Sequence, residues 1–180
     1  MTAFSALLIG NESLTSQCGQ VLLDRGHRIA AVVTRNAEVR KWAAAKGLRV
    51  ESVGDWAALA GLSGVWLVSM ANLTVIPDAV LAMAAKGAVN FHDGPLPRHA
   101  GLNAPVWAIL GGEAQHGITW HLMAGGVDEG DILEQRLFDI APNDTALTLN
   151  TRCFEAGMES FPALVTQLET GLRRVSQDLT

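Results

Sequence analysis

Positive charge is scarce in this chain, with 13 Lys and Arg against 18 Asp and Glu. The only adjacent basic pairs are Arg40-Lys41 and Arg173-Arg174. A nucleic-acid surface needs a clustered basic footprint, so a polyanionic partner is not expected. Cysteine is scarcer. Cys18 and Cys153 sit far apart in segments that read as helices and follow no metal-ligand spacing. That excludes a disulfide framework and leaves two buried thiols in a reducing, cytoplasmic setting. No apolar run is long enough to cross a bilayer. Met1 to Gly10 has neither a basic n-region nor a cleavage site, and reads as a buried strand rather than a signal peptide. Linkers, repeats and low-complexity stretches are also missing, so the 180 residues are expected to form one domain, 1–180, around one core.

What is present alternates. Phe4 to Ile9 is a mostly apolar run suited to a strand buried on both faces, and Ser13 to Leu23 carries Leu14, Cys18, Val21 and Leu22 at helical spacing. Ile29 to Val33 reads as a second strand, Glu38 to Lys46 as a helix stopped by Gly47, and Leu48 to Val50 as a short third strand. Val65 to Val68 is a fourth strand, followed by a helix from Pro77 to Lys86 and a fifth strand, Ala88 to Phe91. Repeated strand–helix alternation predicts an α/β fold, Rossmann-like, with a mostly parallel sheet and helices on both faces. The dinucleotide fingerprint is nevertheless absent. After the first strand the chain reads Gly10-Asn11-Glu12-Ser13-Leu14, without the further glycines a pyrophosphate needs, which argues against a nicotinamide dehydrogenase.

The second half changes character. A Pro/Gly-rich loop, Asp93 to Gly101, leads to a helix over Ala104 to Leu110, with Pro105 in its first turn. Ile118 to Met123 alternates, placing Thr119, His121 and Met123 on one face. An acidic, glycine-flanked loop precedes a strand from Ile132 to Phe138. Asp144 to Leu168 then reads as an amphipathic helical region, capped at Asp144 or Thr145, that Pro162 should kink or split.

Asn90 and His92 lie two apart at the carboxyl end of a strand, so their side chains share a side, where open α/β sheets place ligands. An amide beside an imidazole suits acyl transfer: the amide donates to a developing oxyanion while the imidazole polarises it or relays a proton. Spacing alone does not separate this from a structural pair. Asp128, in the loop Gly125 to Asp131, is by residue type a solvated turn or, with Glu129 and Asp131, a cation site, although the spacing matches no EF-hand.

Several motifs follow in order: Asn90-Phe91-His92; Leu96-Pro97-Arg98 and Gly101; Gly117-Ile118-Thr119; then Val127-Asp128-Glu129-Gly130-Asp131-Ile132 and Gln135. Together they resemble the amino-terminal catalytic domain of the folate-dependent formyltransferases, a family acting on glycinamide ribonucleotide, methionyl-tRNA and sugar amines. It also includes formylation domains of peptide synthetases, which the segment Phe91 to Pro97 resembles most. The resemblance implies a catalytic centre of Asn90, His92 and Asp128, no metal, and 10-formyltetrahydrofolate as co-substrate. It places the folate pocket at Met70, Ala71, Asn72, Leu73 and Ile76, at Gly94, Pro95, Leu96 and Pro97, and at Met123, Ala124, Gly125, Gly126, Val127 and Asp128. The implied acceptor is a primary amine, either a small molecule or an aminoacyl group on a peptide synthetase carrier protein. A role in natural product biosynthesis and fusion to, or association with, a synthetase would follow from the latter. Hydrolysis of formyltetrahydrofolate and folate binding without catalysis are the alternatives.

Two departures stand out. Relatives commonly read His-Pro-Ser-Leu-Leu-Pro where this chain has His92-Asp93-Gly94-Pro95-Leu96-Pro97. Asp93 adds a carboxylate that could act on the imidazole, hold the amine, or simply face solvent. Met70-Ala71-Asn72-Leu73 also lacks the aromatic or glycine often found in that loop. Of the other histidines, His121 is expected to border the site, His99 and His116 to be surface residues in turns, and His27 to be a surface residue. Among the tryptophans, expected to be packing residues, Trp107 follows the Leu-Pro-Arg loop and is the candidate for substrate contact.

Overall fold

The computed structural model describes residues 2–124 and 126–178. Among the described residues, seven strands and five α-helices follow in chain order: β1 (Ser5–Gly10), α1 (Ser13–Asp24), β2 (Arg28–Val33), α2 (Ala37–Ala45), β3 (Val50–Glu51), β4 (Trp66–Met70), α3 (Asp78–Leu81), β5 (Gly87–His92), α4 (Ala104–Leu110), β6 (Gln115–Leu122), β7 (Ile132–Asp139) and α5 (Ala146–Thr170). The sheet order is β3-β2-β1-β4-β5-β6-β7. β1 runs parallel to both β2 and β4, β2 is parallel to β3, and β6 pairs antiparallel with β7. This is the α/β architecture the alternation predicts. The chain resolves into two compact units, Met1–Asn90 and Phe91–Thr180.

In the first unit, Leu7, Leu8, Ile9, Val32, Val33, Leu67 and Val68 are fully buried, which is why their strands read as unbroken apolar runs. Leu14, Cys18 and Leu22 pack one face of α1 inward. Asn36 caps α2, its Oδ1 accepting from the Glu38 and Val39 amides at 2.9 and 3.1 Å. Gly10 follows β1 because a Cβ there would lie 2.4 Å from the Met70 carbonyl oxygen and 2.1 Å from Thr15 Oγ1. Its smallness serves chain packing, which suits a turn lacking the other fingerprint glycines.

Three features depart from expectation by more than two residues. α3 is a single turn rather than a helix to Lys86, because Met83, Ala84 and Gly87 bond three residues back and tighten the segment before β5. A 3₁₀ turn, Trp56–Leu59, appears where no element was expected. In the second unit β6 starts at Gln115, and its pairing with β7 begins at Gln115↔Asp139, a non-local match that local alternation does not reveal.

α5 runs unbroken through Pro162. Prolines inside helices cost about 3 kcal/mol. Pro162 is exposed, while Phe161, Leu164 and Val165 around it are fully buried, each worth roughly 1.5–3 kcal/mol. Packing wins, and the split does not occur. The helix starts at a capping box in which Thr145 and Thr148 exchange hydrogen bonds, selecting Thr145 over Asp144 as cap.

Candidate active site

β5 delivers His92 at its carboxyl end, with Asn90 two residues earlier and half-buried on the same side of the strand. His92 is 5% exposed, and acceptors face both of its ring nitrogens. Nε2 lies 2.8 Å from the His99 carbonyl oxygen, and Nδ1 lies 3.5 Å from Asp128 Oδ2 and 3.9 Å from Asp93 Oδ1. A carbonyl only accepts, so Nε2 carries the proton. Nδ1 lies on the side of the Asp128 and Asp93 carboxylates.

Asp128 sits at the hub. Oδ2 faces His92 and accepts the Gly101 amide at 2.8 Å, while Oδ1 lies 3.3 Å from His121 Nε2. The far nitrogen of His121, Nδ1, is 2.9 Å from the Leu122 carbonyl oxygen. One carboxylate therefore bridges two nearly buried imidazoles. Burial by itself would raise the Asp128 carboxyl, but hydrogen bonds from His121 and Gly101 and the charge of His92 outweigh it and hold the group below its ordinary value. The residue adopts φ 60°, a left-handed conformation that aspartate tolerates better than most residues.

Asp93 behaves oppositely. Its carboxyl is raised, first by burial and further by the charge of Asp128, although His92 pulls it down. Its side chain is partly covered, with 30% exposed. Its carbonyl oxygen receives His116 Nε2–H at 2.8 Å, with the Cys153 thiol 3.8 Å away. Burial pushes both Cys18 and Cys153 up, so neither serves as a thiolate nucleophile.

The loop after His92 is tied down by Thr119, which is fully buried on β6. Its hydroxyl donates to the Gly94 carbonyl at 2.8 Å and accepts from the Leu96 amide at 3.0 Å and from Gln135 Nε2 at 3.1 Å. Gln135 Nε2 also donates to the Leu96 carbonyl at 2.9 Å. Gly94 is required here, because a Cβ would lie 2.8 Å from His92 Nε2. Leu96 is buried, and Pro95 is half-exposed.

The remaining expected pocket residues vary in placement. Met123 is half-buried, and Ala124, Gly126 and Val127 are exposed; Gly125 lies outside the described residues. In the first unit Met70 and Ile76 are buried, Leu73 is 82% exposed, and Ala71 has φ 46°. Asn72 shapes that loop, with Nδ2 donating to the Thr74 carbonyl at 2.8 Å. Met70 and Ile76 thus contribute packing, and the accessible surface there comes from Leu73 and its neighbours.

Three histidine expectations need correction. His27 is 5% exposed and stacks on Phe4 at 3.9 Å between ring centroids. His116 is fully buried on β6 rather than in a turn, and burial lowers its pKa. His99 sits in a loop at φ 59°, but its side chain is mostly covered, and burial lowers its pKa too. The backbone groups of His99 and Gly101 carry no residue-type signal, and sequence reasoning missed them. His121 is different: its alternation with Thr119 on β6 was the visible signal, and it reaches Asp128 directly. Trp107 is 60% exposed on α4. Among the described residues no group of three or more His, Cys, Asp or Glu is arranged to hold a metal ion, and no helix is long and apolar enough to cross a membrane.

Residues 30–165 match the family model described as formyl transferase. Over 168 residues the chain is 35% identical to a methionyl-tRNA formyltransferase of Anaeromyxobacter dehalogenans (strain 2CP-C), covering 83% of this chain and 54% of the relative. It spans about half the length of such curated relatives. A phosphoribosylglycinamide formyltransferase from Anaplasma phagocytophilum shares the fold with a TM-score of 0.82 at 18% identity, over 98% of this chain and 97% of that one. An N-formyltransferase from Helicobacter canadensis, solved with folinic acid and dTDP-3-aminofucose, gives 0.82 at 17% identity, over 99% and 68%.

Proposed function

This chain belongs to the formyl transferase family, and from that premise we propose that it transfers a formyl group from 10-formyltetrahydrofolate to a primary amine. The observation that carries the reading is the bridge His92–Asp128–His121, which sets an imidazole and a carboxylate beside the strand end that bears Asn90. The amine nitrogen attacks the formyl carbon and the C=O pair moves onto oxygen. Asn90 and the imidazolium of His92 stabilise that oxyanion. Asp128 holds the imidazolium and assists removal of the amine proton; the intermediate collapses, the bond to N10 of the folate breaks, and N10 takes up a proton. No covalent enzyme intermediate and no metal enter this scheme.

Folate binding falls to the loop around Leu73 and to Gly94–Pro97 and Met123–Asp128, with the 180 residues acting as one catalytic domain. Relatives act on a transfer-RNA-borne amine, on phosphoribosylglycinamide or on an amino sugar, by their names. The family resemblance adds carrier-bound aminoacyl groups of peptide synthetases as an acceptor class. Cys18 and Cys153, buried and not joined in a disulfide, fit a cytoplasmic setting. The test is incubation with 10-formyltetrahydrofolate and a panel of these amines, with products read by mass spectrometry. An N-formyl product is expected. Formate released at the same rate without any amine would instead indicate a hydrolase, and folate binding with neither product would indicate a binding domain.

A further inference from the structure

The chain after α5 returns to the loop that carries Asp128. The Arg173 amide donates to Gln167 Oε1 at 2.8 Å, turning the chain out of the helix. Val175 and Ile132 then exchange both backbone hydrogen bonds, at 2.8 and 2.9 Å, adding a one-residue antiparallel bridge to the start of β7. Ser176 Oγ reaches Asp131 Oδ1 at 3.3 Å. Gln177 completes the contact: its Nε2 donates to the Asp128 carbonyl oxygen and to the Gly130 carbonyl oxygen, each at 2.7 Å. Both protons of one amide nitrogen are used, and both partners belong to the turn that presents the carboxylate.

Among the described residues, two further hydrogen bonds tie the loop around this turn. The Leu122 amide donates to the Asp131 carbonyl at 2.9 Å, and the Gly126 amide donates to Glu129 Oε2 at 3.0 Å. Neither holds the peptide at Asp128 itself, whose φ of 60° most side-chain-bearing residues avoid. The Asp128 Oδ2 to His92 Nδ1 distance of 3.5 Å leaves little room, since hydrogen bonding fades beyond that length. We propose that Gln177 is a positioning residue: it locks the Asp128–Gly130 turn so that the carboxylate faces His92 and the Gly101 amide. The proposal deepens the catalytic reading given above and rests on it for its consequence, but its geometry can be tested without substrate.

The reporter is the Gly101 amide, which donates to Asp128 Oδ2. Its hydrogen exchange is measured by NMR in the full chain for wild type, Gln177→Leu and Gln177→Glu. Losing two neutral hydrogen bonds should speed Gly101 exchange in Gln177→Leu by about tenfold, with β6 and β7 amides unchanged. In Gln177→Glu a carboxylate would face two carbonyl oxygens, so exchange relative to wild type should be fast at neutral pH and slow again as the carboxyl protonates and regains a donor. Unchanged Gly101 exchange in Gln177→Leu overturns the proposal. So does equal acceleration throughout β6 and β7, or a Gln177→Glu ratio that ignores pH. In a parallel formyl-transfer assay kcat should fall in Gln177→Leu. A wild-type chain inactive with every amine would count against the catalytic reading alone and leave the exchange result standing.

Discussion

Replacing Thr119 by valine removes one hydroxyl and nearly preserves the side chain's shape. That hydroxyl donates to the Gly94 carbonyl and accepts from the Leu96 amide and Gln135 Nε2, all inside a fully buried environment. Gln135 keeps a partner in the Leu96 carbonyl, but the Gly94 carbonyl and the Leu96 amide lose the Thr119 hydroxyl. Each buried orphan costs about 1–3 kcal/mol. The extra buried methyl returns at most about 0.8 kcal/mol, so Thr119→Val should destabilise by roughly 2–4 kcal/mol. Thr119→Ser keeps the hydroxyl, loses a methyl and should cost only about 1 kcal/mol. Urea unfolding measures both, and a lower midpoint with an unchanged slope identifies a stability effect. A loss below about 1 kcal/mol for valine, or serine as costly as valine, would refute the claim that this hydroxyl anchors the loop behind His92.

Further outcomes follow from the same geometry. His121→Phe removes one of the two imidazoles on Asp128; the carboxyl should rise toward its ordinary value, shifting the acid limb of the pH–rate profile upward and lowering kcat by about 10–100-fold. An unshifted limb would show that His121 does not act through Asp128. Gly130→Ala places a Cβ 1.8 Å from the Leu122 carbonyl oxygen, a backbone contact that cannot yield, so the turn must move and transfer should fall sharply; retained activity would contradict the packing. His116 is held neutral by burial, whereas the unfolded chain protonates it near 6.5. The unfolded state then binds the extra proton, so stability should decline below pH about 6.5 with a slope up to about 1.4 kcal/mol per pH unit from this group. His116→Gln should flatten that decline, and an identical slope in both proteins would count against it.

Much of the fold was legible because its signals are local. Leu7–Ile9, Ile29–Val33 and Leu67–Val68 are apolar without interruption because both faces of their strands are covered. His116 was misplaced because its burial depends on pairing with Phe138, more than twenty positions away in sequence. Pro162 misled for a related reason: the burial of Phe161, Leu164 and Val165, which keeps α5 intact, is a tertiary effect. The site was legible in part. As candidates, Asn90, His92 and Asp128 came from residue type and family resemblance, whereas the groups that contact His92, Asp128 and the loop after His92 are two backbone atoms, a threonine hydroxyl and a distant glutamine, none with a compositional mark.

The central claim is that His92 and Asp128 act together on a formyl group. Single-turnover transfer from 10-formyltetrahydrofolate, compared for wild type, His92→Ala and Asp128→Asn, tests it most directly. Each variant should lose at least about a thousandfold in rate while still binding the folate, as expected when oxyanion stabilisation and proton transfer are removed. Near-wild-type rates in both variants would contradict the account.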